Sequence, residues 1–380
     1  MKYIDEFRDG TVAKTLAHKI AAQVQSQRKY SFMEFCGGHT YAIARYGLTD
    51  LLPPNIQMVH GPGCPVCVLP IGRIDMAIDL ALHHGVVVCT YGDTLRVPAS
   101  AGLSLMKAKA QGGDIRMVYS TRDALHIARE NPQREVVFFA IGFETTTPPT
   151  ALAILQAHQD HLTNFSVLCC HVLTPPAIAH LLHDEQVKTA TQGSTVRLDG
   201  FIGPAHVSTV IGSQPYEPFA HHYKKPVVIA GFEPLDVMQA IGMLVRQVND
   251  GRAEVENEFS RAVGRDGNRK AQDCMARVFE LRPEFEWRGL SVVPHSAVMI
   301  REQYGNFDAE RRFKLTYRSV PDHKACECGA VLRGTKQPQN CKIFGTPCTP
   351  DNPMGSCMVS SEGACAAHYS YGRHQEMHHA

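Results

Sequence analysis

A short apolar run that ends in a glycine-containing turn and gives way to a helical pattern recurs along this chain. It restricts the possible folds more than any other feature. Three instances are Val86-Val87-Val88-Cys89-Thr90-Tyr91-Gly92-Asp93-Thr94, Val136-Val137-Phe138-Phe139-Ala140-Ile141-Gly142-Phe143-Glu144-Thr145 and Val227-Val228-Ile229-Ala230-Gly231-Phe232-Glu233. The runs are apolar without alternation, which is the pattern of strands buried on both faces of a parallel sheet. Residues 32–35, 57–60, 115–119, 165–170 and 200–202 read the same way, and helical periodicity fills 73–83, 122–130 and 148–159. The alternation predicts α/β layers built on parallel sheets.

The units fall into two sets. The expected organisation is therefore two similar parallel-sheet α/β domains, residues 31–131 and 132–235, plus a third, largely helical and irregular domain formed by 1–30 with 236–380. A chain of 380 residues supports that many cores. Between 235 and 279 the pattern is helical and charged. Beyond 323 the sequence is rich in Cys, Gly and Pro, and it needs a metal or a neighbouring domain to become ordered. The histidines between 368 and 379 read as a solvated tail. The 38 basic and 37 acidic residues nearly cancel, which gives no footing for nucleic acid or an anionic membrane. The N-terminus lacks an apolar signal segment, and no run approaches the roughly 20 apolar residues of a membrane span, so the cytoplasm is expected.

Thirteen cysteines in such a chain point to metal or thiol redox chemistry rather than to a secreted disulfide scaffold. Cys89, Cys169, Cys170 and Cys274 lie in strand-like or helical runs and are expected to fill space. Cys326, Cys328, Cys341, Cys348, Cys357 and Cys365 crowd into the tail. Four thiolates suit zinc as well as iron. Paired C-x₂₋₄-C knuckles are absent from the tail, however, and wide spacings with intervening Pro and Gly favour an iron–sulfur cluster wrapped by loops.

Two further motifs follow strand-like runs. Gly61-Pro62-Gly63-Cys64-Pro65-Val66-Cys67 carries a C-x-x-C pair at a strand-to-helix turn, where the helix N-terminus favours thiolate. Cys64 and Cys67 form either a dithiol/disulfide pair or a two-thiolate metal site, half of a zinc site included. In Phe35-Cys36-Gly37-Gly38-His39-Thr40 the glycines allow close backbone approach, and Cys36 with His39 suits a nucleophilic pair or a soft metal site equally. Asp93, Glu144, Thr145, Thr146, His206, Ser208 and Glu233 stand at strand ends, where open α/β sheets bind ligands, although each alone is an ordinary helix cap.

Six segments in a fixed order give the chain a close resemblance to the HypD family of [NiFe]-hydrogenase maturation factors, from Asp5-Glu6 to Tyr369. They are Cys36-Gly37-Gly38-His39-Thr40; His60 through Pro70; Gly92-Asp93 with Arg96-Val97-Pro98; Gly142-Phe143-Glu144-Thr145-Thr146; Ala230-Gly231-Phe232-Glu233-Pro234-Leu235-Asp236; and Met358 through Ala367. The resemblance implies a scaffold on which the Fe(CN)₂CO group of the hydrogenase active site is assembled, in stable complex with HypC and with cyanide delivered through HypE. It further implies that Cys36 holds that iron and that Cys64 and Cys67 bind iron or cycle as a dithiol. By the same pattern, a [4Fe-4S] cluster is held by Cys328, Cys341, Cys348 and Cys365, with Cys326 and Cys357 as extras. His39, Glu144 and His206 are the expected hydrogen-bonding or proton-passing groups around Cys36. One departure is Pro204-Ala205-His206-Val207-Ser208, where the family usually has glycine at the second position; a positive φ there would strain alanine. The competing function is an iron–sulfur-dependent disulfide reductase with Cys64 and Cys67 as its whole active site.

Overall fold

The computed structural model describes residues 4–190 and 197–372. In chain order the strands are β1 (Tyr30–Glu34), β2 (Ile56–His60), β3 (Val87–Thr90), β4 (Ile115–Met117), β5 (Val136–Gly142), β6 (Phe165–His171), β7 (Gly200–Pro204), β8 (Val227–Ala230), β9 (Val255–Asn257), β10 (Phe279–Trp287) and β11 (Ser291–Ile300). All eight apolar runs singled out in the sequence are strands, and both α/β sheets are parallel throughout.

The partition of strands differs from two consecutive sets. One sheet has the order β2-β1-β7-β8-β9 and the other β4-β3-β5-β6. The second sheet is thus inserted between β2 and β7 of the first, and the strands do not part at residue 131. Each sheet reverses direction beside its first strand, at β1/β7 and at β3/β5. Such a switch point opens a crevice at the carboxyl ends of the strands, the standard ligand position of this architecture.

The stretch from 235 to 279 is only partly helical. Helix Pro234–Asn249 is followed by β9 and by helix Arg269–Val278, and then by an antiparallel hairpin, β10 against β11, in a region expected to be largely helical and irregular. One apolar core joins Met33 and Val59 of the first sheet, Val137 and Phe139 of the second, Trp287 of the hairpin, and Cys328, Cys357 and Cys365 of the tail. The tail is irregular but does not stand alone: Arg96 donates to the Val359 carbonyl at 2.9 Å, and the buried Ser356 hydroxyl donates to the Cys67 carbonyl at 2.7 Å.

Cys89, Cys169 and Cys170 are buried in the second sheet, and Cys274 is half-buried. Ala205 begins the helix Ala205–Ile211 without a positive φ, so the strain expected from its replacing glycine is absent. His368 is not part of a solvated tail but lies in the helix Ala364–Tyr371; the later histidines are outside the described residues. Among the described residues no helix is long and apolar enough to cross a membrane.

Candidate functional site

The turns after β1 and β2 are neighbours because their strands pair in parallel, Glu34 opposite His60. Cys36 therefore stands beside the Cys64 loop. The Gly37 N–H donates to the Gly63 carbonyl at 3.0 Å, and a Cβ on Gly63 would lie 2.5 Å from the Cys36 Cα, so only glycine lets the loops meet. Cys36 caps the helix Gly37–Arg45 in extended conformation at the β1/β7 switch point. Burial pushes its thiol up, and the nearby Glu362 and Glu34 carboxylates add to this. Against them, the peptide N–H groups of Gly38 and His39 stabilise the sulfur's anion.

His39 is fully buried, and its Nε2 lies 3.0 Å from both the Ala230 and Gly231 carbonyls. That N–H is committed to the backbone at the end of β8. Burial lowers the ring's basicity, which leaves Nδ1 as an unpartnered acceptor. In this tautomer His39 cannot donate to a ligand on Cys36. His206 is exposed at the end of β7 with its ring 4.2 Å from Phe232, which also contacts His39 at 4.9 Å. Partial burial and the neighbouring His39 make His206 a weaker base than usual.

Glu144 follows β5 of the second sheet and is buried. Its carboxylate accepts from the Thr174 N–H at 2.8 Å and the Thr174 hydroxyl at 3.0 Å, and burial pushes its pKa up to about 7. Among the described residues its hydrogen bonds go to Thr174 and not to Cys36. Tyr216, a fully buried phenol raised by burial and by the charges of Glu144 and Cys36, lies near both. Asp93, at the other side of that sheet's switch point, accepts from Ser360 of the tail at 2.7 Å.

Cys64 caps the short helix Pro65–Val68 and accepts from the Cys67 N–H at 3.3 Å. Cys67 is fully buried and in hydrogen-bond contact with two thiols, Cys64 and Cys357; burial and these neighbours push it up. Cys357, an extra by the family pattern, is a hub. The thiols of Cys328, Cys365 and Cys67 all hydrogen-bond to it, which holds its own pKa well down despite full burial. Cys326 contacts Cys328, and Cys348 feels both. Cys341 is half-buried beside Glu327. The structure thus draws Cys328, Cys348 and Cys365 together with Cys326 and Cys357, and joins them to the C-x-x-C pair. Among the described residues no three His, Cys, Asp or Glu side chains are already arranged around a metal ion. The donor chemistry still fits a thiolate-held cluster. Neighbouring thiols together with burial disfavour the thiolates of Cys326 and Cys365, burial disfavours that of Cys348, and a multivalent cation is what compensates such groups.

Three residues bonded into the surroundings of Cys36 escaped sequence reasoning: Glu34, His60 and His368. Glu34 is fully buried and hydrogen-bonds to Cys36, Thr40 and His60. An acid inside the apolar run Phe32-Met33-Glu34-Phe35 was the available signal.

Comparison with known proteins places the chain in a family. The family described as "HypD: Hydrogenase formation hypA family" matches residues 11–372. The hydrogenase maturation factor HypD of Cupriavidus necator is 68% identical over 377 residues, covering 99% of both chains. The hydrogenase expression/formation protein HupD of Azotobacter chroococcum is 62% identical over 376 residues, covering 99% of this chain and 98% of that one. The hydrogenase maturation factor HypD of Escherichia coli is 44% identical over 381 residues, 99% of both chains. With a family match over nearly its whole length and full-length relatives of that name, this chain belongs to the HypD family of hydrogenase maturation factors.

Proposed function

We propose that the protein is the scaffold on which the Fe(CN)₂CO group of a [NiFe]-hydrogenase is assembled, with the iron held as cargo by the Cys36 sulfur. The observation that carries this reading is the placement of Cys36. It stands at the β1/β7 switch point, over the peptide N–H groups of Gly38 and His39, with the Cys64 loop packed against it. Thiolate suits a soft, electron-rich iron carrying cyanide and carbonyl. HypC is the stable partner and HypE the source of cyanide. The cytoplasm is the proposed compartment, a reading supported by thirteen free thiols.

Cys328, Cys341, Cys348 and Cys365 are the proposed ligands of a resident [4Fe-4S] cluster, which supplies single electrons when bound. Cys64 and Cys67 store two: closing the pair breaks two S–H bonds, forms one S–S bond and releases two protons and two electrons. The thiol contacts from Cys64 through Cys67 and Cys357 to Cys328 and Cys365 support exchange between the two groups. The same contacts favour the rival reading, a disulfide reductase in which Cys36 is incidental.

Infrared spectroscopy of the anaerobic complex with HypC separates them. Cys36→Ala is expected to abolish the cyanide and carbonyl bands while the cluster absorbance stays. Bands of unchanged strength would remove Cys36 from the iron, and a wild-type complex without bands would leave the reductase reading in its place.

A further inference from the structure

Glu34 makes more contacts than a buried carboxylate at a strand end needs for its own satisfaction. Its Oε2 accepts the Cys36 N–H at 2.9 Å, while Oε1 accepts the Thr40 hydroxyl and lies 2.9 Å from His60 Nδ1. His60 continues the line, its Nε2 lying 2.8 Å from Nε2 of His368. Two ring nitrogens at that distance need one hydrogen between them. With His60 Nδ1–H on the carboxylate and both rings neutral, His60 accepts at Nε2 and His368 donates. Burial and the neighbouring His60 hold His368 down to about 3, so its ring stays uncharged.

His368 stands one turn after Cys365 in the helix Ala364–Tyr371. An unbroken line of hydrogen bonds therefore runs from the helix that carries a tail cysteine to the peptide of Cys36. The two helices also meet directly. Glu362 abuts Gly37, where a Cβ would lie 2.8 Å from its Oε2, and the Tyr371 and Tyr41 hydroxyls are 3.1 Å apart. Glu362 also acts on the Cys36 sulfur through its charge, but the histidine line reaches the Cys36 backbone N–H through hydrogen bonds.

We propose that His60 and His368 are positioning residues that couple the tail cysteines to Cys36, so that the state of the tail sets the reactivity of the Cys36 sulfur. The inference rests on the reading that the tail cysteines bind metal, but not on iron being bound at Cys36. A shift of Cys365 carries His368 with it and draws His60 away from Glu34. The carboxylate then loses one of its three donors, and the Cys36 peptide loses its fixed anchor. The sulfur's alignment with the Gly38 and His39 N–H groups depends on that anchor.

The test is the rate at which iodoacetamide alkylates Cys36 in the anaerobic full-length protein, followed by peptide mass mapping, before and after chelation of iron. The wild type is expected to show a several-fold difference between the two states. In His368→Phe the two rates should coincide, whereas His368→Gln, which keeps an N–H donor for His60, should restore the difference. Tyr371→Phe, which removes a helix contact outside the line, should behave as wild type. Equal rates in the two wild-type states, or an undiminished difference in His368→Phe, would overturn the proposal. Metal analysis of the starting material separates its failure from that of the cluster reading. If the tail proves to bind no metal, the bridge is still judged by whether His368→Phe alters the Cys36 rate and His368→Gln restores it.

Discussion

The Glu144 carboxyl, at about 7 in the folded protein against an ordinary 4.5, makes stability depend on pH. Because its folded value is raised, the stabilisation is complete below about 4.5 and is lost as pH rises through 7. The loss approaches about 3 kcal/mol on the alkaline side, at roughly 1.4 kcal/mol per unit. Glu144→Gln keeps an acceptor for the Thr174 N–H and removes the charge. The variant should melt near the wild type at pH 5 and above it at pH 8; equal melting at both would show that Glu144 is solvated. The sequence placed Glu144 at a strand end, but not its confinement by Thr174, thirty residues away. The same holds for Glu34, His60 and His368. None of them could be placed beside Cys36 before folding brings β1, β2 and the last helix together, and local pattern carries no trace of contacts that distant.

At the scale of elements, the eight buried strands were legible because parallel strands covered on both faces must be continuously apolar. Their neighbours were not, since runs of the same composition pair equally well in several orders. The hairpin was missed for the converse reason. In β10, Phe279-Glu280-Leu281-Arg282-Pro283-Glu284-Phe285-Glu286-Trp287, Phe279, Phe285 and Trp287 are buried while charged residues lie between them, and Pro283 falls where the register shifts between Arg282 and Glu284. It lies beyond the charged helical stretch, in the region expected only to be largely helical and irregular, and its burial does not alternate cleanly enough to mark a strand. The contact of the β1 and β2 turns gives a prediction at this scale. Gly63→Ala would drive a methyl group into the Cys36 backbone. Overpacking of this kind costs about 1–3 kcal/mol, so calorimetry should show a lowered melting temperature with the cysteine content unchanged. A melting temperature equal to the wild type's would mean that the loops can separate freely.

For the whole molecule, Cys64 and Cys67 lie in contact with the tail thiols while Cys341 stands apart beside Glu327, and the two consecutive domains expected from the sequence gave way to nested sheets. The tail adds little regular structure, holding to the sheets through a few hydrogen bonds and its buried thiols. On the proposed reading that a cluster orders the tail, treatment with an iron chelator under reducing conditions should loosen the backbone around Lys336 and the already exposed Lys342, so that trypsin cuts there well before the sheets. Unchanged protection, read by gel and mass spectrometry, would show that packing alone orders the tail. The nesting has a further consequence during synthesis. β1 leaves the ribosome early, but its second neighbour, β7, is translated only after the entire inserted sheet. The crevice around Cys36 thus closes late on the ribosome, after the inserted sheet has had time to form, so a half-made chain presents Cys36 on an open strand edge rather than in a finished crevice.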